Sequence, residues 1–100
     1  MMTESGFINE ELLEKAIDVW GFDDQCEMII EECLELALAL QKLKRLRDDK
    51  KQKFDNVIDE IADVKIMITQ AQRLFPKDLI DARVDYKMNR LKERLNENLT

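Results

Sequence analysis

Histidine is missing from the 100 residues. That removes zinc sites built on imidazole, the Glu-x-x-His pattern of di-iron bundles and a histidine nucleophile. Glycine occurs twice and proline once. So few breakers argue against a turn-rich β fold, and no Walker-type phosphate loop is present. No apolar run approaches the roughly 20 residues that span a bilayer. The opening Met1-Met2-Thr3-Glu4-Ser5-Gly6 has neither a basic start nor an apolar signal core, so the chain is expected to be cytoplasmic. Cysteine appears twice, at Cys26 and Cys33 on one predicted helix. Seven residues of helix put them about 10 Å apart along the axis, beyond disulfide reach. Both are expected as reduced core residues.

What remains is a helix-forming composition. Hydrophobic residues make up 45% and charged residues 38%, with a net charge of −6. That charge argues against a duplex nucleic acid partner. The length suits a single domain, residues 1–100, and a chain this small gains from self-association. Periodicity and punctuation predict four helices, near 9–20, 24–47, 55–74 and 76–95, in an all-α, four-helix bundle-like fold. Asn9 is the first N-cap, Gly21 ends the first helix, and Asp24 with Glu27 resembles a capping box for the second. Cys26, Ile29, Ile30, Cys33, Ala37 and Leu40 form that helix's apolar arc. Val57, Ile61, Val64 and Ile68 form the stripe of the third. Pro76 suits the first turn of the fourth, which carries Ile80, Val84, Leu91 and Leu95 on one side. Residues 42–53 hold seven cations and are expected as a charge-rich connection, with a role beside a polyphosphate left open.

Chemistry concentrates in two short stretches. Glu31-Glu32-Cys33-Leu34-Glu35 is followed, after 24 residues, by Glu60-Ile61-Ala62-Asp63. Residues three apart are neighbours on a helix face, so Glu32 stands beside Glu35 and Glu60 beside Asp63. An antiparallel helix pair brings the two acidic pairs together. Four carboxylates at the margin of a packed face repel one another, and a divalent cation relieves that repulsion. An all-oxygen donor set suits Mg²⁺ or Mn²⁺, and no EF-hand loop is present. Mg²⁺ on a few carboxylates, with positions left open, is the usual companion of a phosphate ester or anhydride.

These stretches resemble the two metal-binding helices of the MazG-like nucleoside triphosphate pyrophosphatases. Ile30-Glu31-Glu32-Cys33-Leu34-Glu35-Leu36 and Ile58-Asp59-Glu60-Ile61-Ala62-Asp63-Val64 carry the likeness. Trp20-Gly21, Gln25 and Lys87-Met88-Asn89-Arg90 extend it to most of the chain. The resemblance implies Mg²⁺ held by Glu32, Glu35, Glu60 and Asp63. It implies hydrolysis of a nucleoside triphosphate to the monophosphate and pyrophosphate, as in housecleaning of a nucleotide pool, by a homodimer or homotetramer. Glu31 is the candidate for orienting the attacking water, with a solvated surface glutamate as its alternative, and Glu35 shares the catalytic assignment.

Other residues carry two readings each. Trp20 either stacks on a base or packs against the bundle. Gln25 and Asn89 are candidates for reading a base. Arg83, Lys87, Arg90 and Arg94 form one row on the fourth helix. Lys87 and Arg90 are assigned to phosphate binding, although cations in a last turn also complement the helix dipole. A function of a different class stays open: a non-catalytic acidic helical interaction protein that binds a partner through its apolar faces.

Overall fold

A computed structural model describes residues 6–45 and 50–99. Three helices account for nearly all of them: α1 Glu10–Arg45, α2 Lys50–Leu74 and α3 Lys77–Leu99. The all-α class expected from composition is what the chain adopts, with no strand among the described residues. No described helix is long and apolar enough to cross a membrane. The N-terminal segment 1–5, Arg47 and the predicted end of the second helix lie outside the described residues.

Two predicted boundaries move. The first and second predicted helices are one element, α1, bent rather than ended at Gly21, whose φ of 83° and ψ of 173° are not helical. Only glycine adopts that backbone readily. A Cβ there would meet nothing within 4 Å, so the requirement is conformational rather than spatial. The helix then resumes through Asp24 without a new start. In the same way α2 begins at Lys50 instead of Asp55 or Asn56. Lysine and glutamine are good helix formers, and no glycine or proline stands between Lys50 and Asn56. The expected connection is therefore mostly helix on both sides. Asn9 is the N-cap as expected: its side-chain oxygen accepts hydrogen bonds from Glu11 N at 3.1 Å and Leu12 N at 3.3 Å.

α1 and α2 form the one extensive packing contact of the chain. α3 touches α2 only at the elbow around Pro76 and does not contact α1. A four-helix bundle is therefore not formed within one chain, because the first two predicted helices are one and the last projects away. The buried apolar residues among those described are Leu13 and Val57. The expected apolar arcs turn out to lie largely outside the α1–α2 seam. Ile30, Leu40, Ile61 and Ile68 are exposed, as is Cys33, while Cys26 is half-buried. Besides Thr69, Gln70 and Gln72, the less exposed positions of α2 are Lys53, Val57, Glu60, Val64, Met67, Ala71 and Leu74. They alternate spacings of four and three, the seam of a coiled coil. On α1, Gln25, Ile29, Glu32, Leu36, Ala39 and Leu43 repeat the spacing.

Polar side chains are packed along this seam at two levels. At one level Gln70 Nε2 donates to both Gln25 Oε1 and Leu13 O, each at 2.8 Å. Gln70 thus holds segments of α1 on either side of the Gly21 bend. Arg73 adds ion pairs to Glu10 at 3.2 Å and Glu14 at 3.4 Å. Phe22 and Phe75 meet edge to face, with ring centroids 5.7 Å apart. The other level holds the carboxylates.

Candidate metal centre

Glu32 comes from the middle of α1, and Glu60 and Asp63 from the middle of α2. One oxygen of each lies within 4.8 Å of the others. The half-motifs meet because each seam repeats every three or four residues, so Glu32 and Glu60 both point inward while Asp63, one turn on, flanks them. Glu32 and Glu60 are half-buried and Asp63 is exposed. Glu35, expected as a fourth ligand, is exposed one turn after Glu32 and is not one of the three that converge, although its charge acts on Glu60.

The electrostatics follow from that placement. Burial pushes the Glu32 carboxyl above its ordinary value, and the nearby Glu35, Asp63, Glu60 and Glu31 push it further. Burial likewise raises Glu60, followed by the charges of Glu35 and Asp63. Both retain one buried oxygen, Oε2, that no protein group satisfies. An unmatched carboxylate oxygen is costly inside a fold.

A divalent cation fits this donor set. Mg²⁺–oxygen bonds of about 2.1 Å put opposite ligands roughly 4.2 Å apart. The three oxygens lie within 4.8 Å of one another, close enough to share one ion and leave its other positions to water or substrate. The donors are all oxygen and the site opens to solvent. Beside it is a cleft of about 190 Å³ whose lining includes Glu35, Glu60, Lys42, Lys53 and Asn56. Each helix lends the cleft one carboxylate and one ammonium group, a mixture that suits a cation bridged to an anion.

The remaining expected site residues are dispersed. Glu31 is exposed beside the cluster. Gln25, expected to read a base, is 1% exposed and its amide is committed to Gln70, so it is a structural residue of the seam. Trp20 is exposed at the bend, in a shallow apolar depression with Leu12, Ala16 and Val19. Lys87, Asn89 and Arg90 are exposed on α3, which does not reach α1, so one chain does not bring them to the acidic cluster.

Sequence reasoning missed the two cleft lysines, which it placed in a solvated connection, and Gln70. The missed signal was the strict four–three spacing from Lys53 to Leu74, which carries the seam back past Asp55. Compared with protein-family models, curated proteins and solved structures, the chain shows no match.

Proposed function

We propose that the chain is a MazG-like hydrolase that binds Mg²⁺, with Mn²⁺ as a substitute, and cleaves a nucleoside triphosphate to the monophosphate and pyrophosphate. The observation that carries the proposal is the convergence of Glu32, Glu60 and Asp63 from two helices, with buried oxygens on Glu32 and Glu60 left unpartnered. Glu32, Glu60 and Asp63 would hold the ion, with the neighbouring Glu35 as a fourth carboxylate close by. Bound there, Mg²⁺ supplies charge neutralisation to a phosphate chain and polarises the anhydride for attack by water. Glu31, exposed beside the cluster, is the candidate to orient that water and accept its proton. Lys42 and Lys53 on the cleft wall offer cations to the phosphates.

The choice of a phosphate substrate follows from the hard-ion donor set and the adjoining ammonium groups. The choice of the α–β bond rests on the resemblance of the two acidic half-motifs to the MazG-like pattern. Product analysis decides both. Protein incubated with Mg²⁺ and a panel of nucleoside triphosphates is expected to release monophosphate and pyrophosphate in equal amounts. Diphosphate with orthophosphate would keep the site and overturn the family reading. No product from any nucleotide would favour the interaction-protein reading, to which the exposed apolar faces of all three helices also lend themselves.

A further inference from the structure

The polar residues between α1 and α2 recur in steps of seven. Gln25 lies seven residues before Glu32, and Gln70 seven after Asp63, both buried. In the other direction, Lys42 lies seven residues after Glu35, and Lys53 seven before Glu60. Seven residues are about two turns of helix, so each step returns nearly to the same face about 10 Å further on. The carboxylates therefore have a closed amide layer on one side and two ammonium groups on the other. Lys42 of α1 and Lys53 of α2 line one cleft. Neither answers the buried Oε2 atoms of Glu32 and Glu60.

That order gives a bound anion a direction. Toward Gln25 and Gln70 the seam closes on two buried amides, whereas toward Lys42 and Lys53 the cleft is open. A chain of linked phosphates meets the ion with one group and the ammonium groups, on their flexible stems, with the next. Asn56 lines the cleft between Lys53 and Glu60 and offers amide donors to the oxygens in between. The cleft measures about 190 Å³, less than the roughly 300–1,000 Å³ that encloses a drug-sized ligand. A nucleoside does not fit there together with its phosphates. What enters is the end of the chain that carries no nucleoside.

We propose that the cleft is a subsite for the terminal diphosphate of the substrate, gripped by Lys42 and Lys53, with the nucleoside held outside it. This rests on the reading of the acidic layer as a cation site. As water joins the α-phosphorus, the bond from that phosphorus to its bridging oxygen breaks, and the oxygen leaves with the diphosphate. The charge that the leaving group gains is met by the two ammonium groups, and the water's proton passes to Glu31. The lysines thereby select for chain length, because a monophosphate on the ion does not reach them.

Calorimetric titration of inorganic pyrophosphate and of orthophosphate into the full chain, in Mg²⁺, reads the subsite without turnover. Wild type is expected to bind pyrophosphate more tightly than orthophosphate, by about tenfold or more. Lys42→Met/Lys53→Met keeps both stems and removes both charges. It is expected to lose that preference while keeping the cation-dependent gain in melting temperature, which also shows that it folds. A nucleoside monophosphate is expected to bind wild type and variant alike. Wild type that gains stability from Mg²⁺ yet binds both inorganic anions alike would overturn the proposal and leave the cation site standing. So would a double variant that keeps the wild-type preference. Wild type that gains no stability from Mg²⁺ would overturn both. Selective pyrophosphate binding without turnover of any nucleotide would keep the subsite and overturn the hydrolase reading.

Discussion

Two polar layers interrupt the same helical seam, and they are built on opposite principles. At Gln25 and Gln70, Nε2 of Gln70 donates to Gln25 Oε1 and to the Leu13 carbonyl at 2.8 Å. One neutral amide oxygen, Gln70 Oε1, stays without a partner. At Glu32, Glu60 and Asp63 only acceptors converge, and two buried oxygens have no partner. Gln70 is 0% exposed and carries no charge, so its layer serves register and the bend at Gly21. The carboxylate layer is half-open and self-repelling, which no structural role explains. The layers differ in charge and in donors: the amide layer supplies its own, whereas the carboxylate layer has acceptors only.

The largest effect that separates the layers is on stability without metal. Gln70→Leu strands the Gln25 amide oxygen in the seam and is expected to cost about 1–3 kcal/mol. The double variant Gln25→Leu/Gln70→Leu removes both partners and should recover much of that loss. Denaturant titration of the three proteins gives the coupling directly. A single variant as stable as wild type would mean that the amide layer does not hold the hairpin.

A smaller effect distinguishes the layers by pH. Glu32 and Glu60 keep their protons to higher pH in the folded chain than in the unfolded one. As pH rises from the ordinary glutamate value through their raised values, the folded state holds protons that the unfolded state has released, so stability falls. Without divalent cations, the melting temperature is therefore expected to rise as pH is lowered from neutral toward the ordinary glutamate value. Glu60→Gln should flatten that rise, and Gln70→Leu should leave its slope unchanged. A melting temperature that falls throughout the same acidification would contradict the repulsion.

Much of this was legible in the residues. The cap at Asn9, the break before α3 at Pro76 and the meeting of the half-motifs all came from local rules of spacing and capping. Gly21 was recognised as punctuation but not as a bend, because a helix that resumes after one non-helical glycine gives no separate signal. Which apolar stripe faced inward was not legible. α1 has apolar residues on two sides, and Ile30, Cys33 and Leu40 outweighed the seam that Glu32 and Gln25 interrupt. α3 reads as a packed amphipathic helix for the same reason: its stripe is real, yet nothing among the described residues covers it.

The central claim, that the carboxylate layer is a divalent cation site, is tested most directly by melting wild type and Glu60→Gln in chelator and in millimolar Mg²⁺ or Mn²⁺. Wild type is expected to gain stability with cation concentration, as a ligand that binds only the folded state requires. Glu60→Gln is expected to start higher in chelator, with one repulsion relieved, and to lose most of the cation-dependent gain. A wild-type melting temperature that ignores both cations, or a gain that Glu60→Gln keeps in full, would contradict the claim.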